Sequence, residues 1–505
     1  MAFNRNVIVN YIGYSWSGMM GIAFLPSYVK ALGADAYGLV GVYTVLYAWI
    51  AMLDMGLTPT LNREVARLRA GEHTAESIRD LLRSIELIFA VIATLMVILV
   101  WLGSTVLMDY WLKSNLLPRI MVIDAIRIIG FVLASRWLEQ IYRATILGMQ
   151  DYVYLNLVQS VIATLRWGGA YVVVTFFAPS ILYFFVWQGV VSILTAIMLM
   201  HRTYRLLPQS KRAGRFSLTT LVKIKKFAVG MSMSTILTFA LTQTDKIVIS
   251  RMLPLDQLGY YMLAASASGA LLLLVTPMNN AIYPHFSELE ARKNWTGLED
   301  AYRLACEWMS AILIPAATVL VLFSGPVLLF WTGDVHMTKK VAPLLAVLAL
   351  GTLFNGLMNV PYMLQLAHGW TSLSVKMNTL STMILIPVII VAVSRYGTLG
   401  AASAWLVLNL VSLVVSSHYM YSKIFPHVKW KWYRESIAAP LGVATIVGVI
   451  LLYITPEVTT RSSSAAVVLA SFLLIQTVVI CALPNLRKIT YARLRKMLAQ
   501  SQSNE

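Results

Sequence analysis

Arg166 stands inside an apolar run that opens at Tyr152. At about 1.5 Å of rise per residue, fourteen positions of helix carry it roughly 20 Å along the axis. Ionisable groups at such depth are expensive and face a cavity or a partner. The planar fork of an arginine matches phosphate and carboxylate oxygens. The chemistry on offer is therefore anion binding; the alternative is a structural pair with a buried carboxylate. Gly168 and Gly169 follow, allowing close backbone packing or a bend. Upstream, Asp124 and Arg127 share a helical face three residues apart. Arg136, Glu139 and Arg143 continue at helical spacing. They read as groups that meet an anion or as an interfacial ion-pair ladder, the ladder being preferred for Arg143.

A second polar cluster lies near mid-chain. Thr242, Gln243, Thr244, Asp245 and Lys246 are consecutive polar residues within an apolar run, which points to a cavity-facing turn. Asp245 and Lys246 project about 100° apart on a helix and need not pair. Lys246 can also snorkel to the outer surface, as Lys376 does at the inner one. Asp54 lies at the inner mouth of its span, where its other reading is a cap. Tyr14 and Trp16 in the first span can stack on sugars or simply form the interfacial belt. Nothing here looks catalytic. The two cysteines, Cys306 and Cys481, sit in apolar runs. There is no His/Cys cluster for a metal and no Asp-x-Asp motif.

These residues need helices in a bilayer to position them. The chain is 58% hydrophobic and 12% charged, with mean hydropathy +0.72. A soluble protein carries roughly 25% charged residues, so this composition cannot coat a water-soluble body. The expected fold is an all-α integral membrane protein of about fourteen spans. They fall at 7–29, 37–56, 84–107, 120–138, 152–177, 180–200, 227–250, 257–282, 305–330, 341–366, 371–394, 399–421, 437–454 and 464–483. The first apolar run exceeds the length of a cleavable signal.

The first twelve spans form two copies. Leu32, Asp35 and Gly38 match Leu253, Asp256 and Gly259 at an offset of 221, and Leu147–Gly148 matches Leu366–Ala367 at 219. Repeats of this kind are typical of transporters. The expected organisation is a six-helix lobe at 1–205 and a basic linker at 206–226. A second six-helix lobe at 227–421, an unrepeated pair at 437–483 and a basic tail at 484–505 complete it. Residues 60–83 and 283–303 read as amphipathic helices on the membrane face, and the linker as lying against anionic headgroups.

Charge placement orients the chain. Of 40 Lys and Arg residues, 28 fall on the side of the amino terminus and eight on the other. The positive-inside rule puts the first side, and both termini, in the cytoplasm. The net charge of +18 is thus accounted for by topology, and no nucleic-acid partner is expected.

Several stretches resemble one family. Leu53-Asp54-Met55-Gly56-Leu57 with Leu61-Asn62-Arg63-Glu64-Val65-Ala66 is similar to a recurrent pattern of the polysaccharide transporter (O-antigen, Wzx-type) flippases. Thr244-Asp245-Lys246 with Leu258-Gly259-Tyr260-Tyr261 resembles the start of their second lobe, and Tyr396-Gly397-Thr398-Leu399-Gly400 another of their turns. Met55 departs from the usual aromatic. The resemblance spans about residues 5–485. It implies a two-lobed bundle of the MOP exporter superfamily in the bacterial inner membrane. The implied cargo is undecaprenyl-diphosphate-linked oligosaccharide for O-antigen, capsule or exopolysaccharide. Arg166, Arg127, Arg136 and Arg143 would then meet a diphosphate or acidic sugar, with Lys246, Gln243, Thr244, Tyr14 and Trp16 lining the cavity. No cofactor is implied beyond a coupling proton or sodium ion, for which Asp245, Asp124, Glu139 and Asp54 are the carboxylate candidates. A polysaccharide polymerase and chain-length machinery are implied partners. The competing reading is a multidrug/cation antiporter of the same superfamily, but a deep arginine repels a cationic drug.

Overall fold

The computed structural model describes residues 16–54, 57–69, 74–112, 117–210, 212, 214–219, 222, 239–370, 372–455 and 460–488. Among them there is no strand. Nine of their helices are long and apolar enough to cross a membrane. The protein is an all-α multi-pass membrane protein. It divides into two compact units, Met1–Met262 and Leu263–Glu505.

The first unit opens with α1 (16–23), α2 (Leu25–Leu32), α3 (Ala34–Leu53), α4 (Leu57–Arg69), α5 (Ala75–Val106) and α6 (Arg119–Gly148). The next span is α7 (Tyr152–Ala163), a π turn (Thr164–Gly169), α8 (Ala170–Val172) and a second π turn (Val173–Phe177). Then come α9 (Ile181–Leu206), α10 (239–252) and the first turns of α11 (Leu255–Ala291). Helix α6 is central. Its Val122, Ile126, Ile129, Trp137 and Ile141 are buried, and the Trp137 ring stacks on Phe89 of α5 at 4.1 Å. The indole also donates to the Phe89 carbonyl at 3.2 Å, so its one polar atom is satisfied inside an apolar layer.

Two expectations change here. The span read as ending at 138 continues to Gly148. Arg136, Glu139 and Arg143, read as groups that meet an anion or as an interfacial ladder, find polar partners inside the unit. Residues 75–83, read as part of a surface helix, are the first turns of α5. The linker also has a partner of its own. Arg212 donates to both Asp80 oxygens, at 3.2 and 2.7 Å. The Arg215 backbone N–H reaches Asp80 at 2.7 Å, and that of Ser217 reaches Ser84 Oγ at 2.9 Å. A basic stretch expected against headgroups is therefore fastened to the start of α5.

The offset of 221 appears as a contact. A Cβ on Gly38 would lie 2.2 Å from the Leu255 carbonyl oxygen, and one on Gly259 would lie 2.2 Å from that of Ala34. Residues 34 and 38 are the repeat equivalents of 255 and 259. The start of α3 and the start of α11 thus press the same glycine into each other's backbone, as small residues permit between membrane helices.

The second unit takes in the rest of α11, then α12 (Trp295–Leu322), α13 (Ser324–Thr332), α14 (Val335–Leu357), α15 (Asn359–Ala367) and α16 (Ser372–Lys423). The short α17 (Lys429–Lys431), α18 (Ala439–Ile454) and α19 (Arg461–Ala482) follow. The stretch 283–303, read as a surface helix, instead joins the end of α11 to the start of α12. Helix α16 bends at Gly397, whose φ of 60° and ψ of −141° suit only glycine. The bend falls between the spans read as 371–394 and 399–421.

Glu307 of α12, 2% exposed, ties down the chain after α19. It accepts from the backbone N–H of Asn485 at 2.9 Å and of Leu486 at 3.0 Å, and from Asn485 Nδ2 at 2.7 Å. Hydrogen bonds to a charged group contribute about 1.5–3 kcal/mol each. Glu307→Ala is expected to lose about 3 kcal/mol or more, since three donors share one acceptor. Limited proteolysis after Leu483 should speed up sharply in the variant; an unchanged cleavage rate would show that the carboxylate does not hold this segment.

Candidate functional site

The polar site lies within the first unit and is built on a wide turn. A π turn leaves backbone groups without their usual partners and is frequent where function needs one. Across Thr164–Gly169, three successive carbonyls accept from neighbouring side chains. Leu165 takes the Trp187 indole at 2.8 Å, Arg166 takes Gln188 Nε2 at 3.4 Å, and Trp167 takes the Tyr28 hydroxyl. Gly169 makes this possible, because a Cβ there would fall 2.5 Å from the Trp187 ring. Trp16 closes the outer side by donating to Thr164 Oγ1 at 2.9 Å.

The turn presents Arg166 to a cavity of about 450 Å³ lined by α1, α3, α6, α7 and α9. Arg166 is 6% exposed. Its Nη2 lies 3.4 Å from Glu139 Oε1. Its Nη1 is buried and has no hydrogen-bond partner among the described residues. Arg136 donates to the Tyr43 hydroxyl at 2.7 Å and stacks 4.2 Å over the Tyr47 ring, while its Nε has no such partner. Arg143 donates to Gln159 Oε1 at 2.8 Å. Ser17, Gln140 and Trp167 complete the polar wall. The three guanidiniums and one carboxylate among the lining residues leave a formal charge of +2. Buried donors without partners, around a positive cavity, suit an anion.

The structure brings Arg136, Glu139, Arg143 and Arg166 together and places the other candidates elsewhere. The ladder along α6 is not the arrangement found: Glu139 pairs across helices with Arg166, and Arg143 turns to a neutral amide. Arg127 pairs with Asp124 at 3.2 Å, donates to Ser104 Oγ at 3.3 Å and packs on Trp101, outside the cavity lining. Asp54 accepts the Thr58 N–H at 3.1 Å at the start of α4, a capping role.

On α10, Lys246 donates to the Thr242 carbonyl at 2.7 Å and lies 3.6 Å from Asp245. The two do meet, because a lysine stem is long enough to cross the angle between adjacent positions. Asp245 also accepts from Tyr261 at 2.7 Å. Thr244 donates back to Ala240 at 2.5 Å, and Gln243 Nε2 reaches Thr242 Oγ1 at 3.5 Å. Tyr14 lies outside the described residues. Tyr43, Tyr47 and Gln159 were not singled out from sequence. The signal was present for the tyrosines, since spacing by four puts both on one face of an apolar span.

Comparison with known proteins gives the same picture. The profile of the family described as "Polysaccharide biosynthesis protein" matches residues 3–290, over half of the chain, and the MatE profile matches 231–391. A Shigella flexneri protein named "Putative O-antigen transporter" is 22% identical over 413 residues, covering 80% of this chain and 94% of its own. Among solved structures, the inward closed lipid II flippase MurJ has a TM-score of 0.69 at 15% identity, covering 94% of this chain and 98% of that one. An inward-facing multidrug resistance MATE family transporter has a TM-score of 0.67 at 14% identity, covering 82% and 95%. This chain belongs to the family described as "Polysaccharide biosynthesis protein".

Proposed function

We propose that the protein is a flippase that moves undecaprenyl-diphosphate-linked oligosaccharide across the bacterial inner membrane by alternating access. The observation that carries this is the cavity lined by Arg136, Arg143 and Arg166, with Glu139 as its one carboxylate among the described residues. A diphosphate diester bears two negative charges and matches a formal charge of +2. A cationic drug would enter the same cavity against its charge, so the antiporter reading is disfavoured. Trp167 offers a face on which a sugar can stack. In this reading residues 1–205 and 227–421 are the two transport lobes, and 437–483 stands outside them. A proton or sodium gradient drives the cycle through one of the carboxylates Glu139, Asp245, Asp124 or Asp54. A polymerase receives the product on the far side. Complementation of flippase-deficient strains carrying different glycans tests the proposal: one strain or more should recover surface glycan, and failure in every strain would refute it.

The same reading places both termini in the cytoplasm. Cysteines introduced at Lys113 and Lys211, both outside the described residues, should react differently with a membrane-impermeant maleimide added to whole cells. Lys113→Cys should label and Lys211→Cys should not; the reverse pattern would invert the topology.

A further inference from the structure

Glu139 is the one carboxylate lining the cavity among the described residues, and its hydrogen bond goes to the deepest cation. The other two guanidiniums hydrogen-bond or stack on neutral partners: Tyr43 and Tyr47 from α3 face Arg136, which also feels the Glu139 charge, and Gln159 from α7 faces Arg143. Arg166 therefore differs from its neighbours in hydrogen-bonding a carboxylate directly. Its second terminal nitrogen and Arg136 Nε remain buried without hydrogen-bond partners. An incoming anion gains those donors, but it takes both terminal nitrogens of Arg166 only by displacing a carboxylate that is itself largely buried.

We propose that Glu139 is a specificity-determining residue, a resident counter-anion that competes with the substrate for Arg166. The inference rests on the flippase reading above. Exchanging one carboxylate for one singly charged ligand gains little, since one charged pair replaces another. A doubly charged ligand can replace Glu139 at Arg166 and also engage Arg136 or Arg143, so it gains a pair that the single charge does not. Glu139 thus filters abundant monoanions out of a site that three guanidiniums would otherwise leave open to them. It also provides the way out, because returning to Arg166 expels the ligand. Removing its charge should therefore tighten binding, admit monoanions and slow release together. A residue that only held the fold would weaken binding when removed.

The test is titration calorimetry on the purified full-length protein with two probes: dimethyl phosphate, which bears one charge, and symmetrical dimethyl diphosphate, which bears two. Wild type should prefer the diphosphate by about ten-fold or more. Glu139→Gln should bind both probes more tightly, by about ten-fold or more, so that the monoanion wild type barely holds now binds. Its glycan yield per molecule in a flippase-null strain should fall even as affinity rises. Monoanion binding equal to wild type, or weaker binding by a variant that melts at the wild-type temperature, would overturn the proposal. Should Glu139→Gln not accumulate, Glu139→Asp draws the carboxylate back by one methylene and should tighten monoanion binding in the same direction; no change would overturn it equally. Arg166→Ala separates the two levels. If it binds the diphosphate as wild type does, the cavity reading itself fails. If it binds weakly while Glu139→Gln leaves monoanion affinity unchanged, only the counter-anion role fails.

Discussion

Arg166→Ala lowers surface glycan, normalised to the amount of protein in the membrane, about ten-fold or more in a strain lacking its own flippase. The loss follows from a charged hydrogen bond to the substrate contributing about 1.5–3 kcal/mol. Arg166→Lys recovers part of it, because an ammonium keeps the charge but not the fork. Stability is a separate matter. Removing one partner of a buried pair leaves the other uncompensated, at about 3–5 kcal/mol. Glu139 sits 3.4 Å from Arg166 and is mostly buried, so Arg166→Ala alone should also lower abundance. The double variant Arg166→Ala, Glu139→Gln removes both charges and should recover abundance without recovering transport. Lys376, exposed on α16, is the control, and Lys376→Ala should be silent. Normal yield per molecule in Arg166→Ala would leave the arginine with a structural role only.

Gly38→Val and Gly259→Val each reduce folded protein severely, and by similar amounts. The reason is the reciprocal contact between α3 and α11, in which either Cβ would stand 2.2 Å from a backbone oxygen. No rotamer relieves a clash with backbone, so the helices must separate. Overpacking costs about 1–3 kcal/mol where side chains can yield, and about 3 kcal/mol or more is expected here. Gly103→Ala is the comparison, because a Cβ at Gly103 meets nothing within 4 Å. Monodisperse yield by fluorescence-detected size exclusion measures the effect. A wild-type profile for Gly38→Val would mean that the two helices do not approach this closely.

Much of the fold was legible because it is local. An apolar run of about 20 residues must be a span whatever surrounds it. The run read at 152–177 is helical over Tyr152–Phe177. The turn at Gly397 was likewise readable, since glycine marks where a positive φ is required. Residue types at the candidate site could be read as well, but their partners could not. Glu139 and Arg166 are 27 positions apart and meet only once α6 packs beside the wide turn. Arg136 and Arg143 read in one dimension as meeting an anion or as an interfacial ladder, and only tertiary packing shows that they line one cavity. Arg127 meets Asp124, three positions away on the same face as the spacing implies, while its packing on Trp101 shows only in the fold. The linker shows the same limit, because nothing local to Arg212 reveals Asp80.

The most direct measurement is translocation itself. The purified protein is reconstituted into liposomes holding undecaprenyl-diphosphate-linked oligosaccharide from the strain it complements. A membrane-impermeant glycosidase added outside reports the fraction of headgroups exposed. The glycosidase should cleave about half of the lipid in protein-free vesicles and nearly all of it when the protein is present, with Arg166→Ala slowing the second phase about ten-fold. Cleavage that stops at the same level with and without protein would contradict the account.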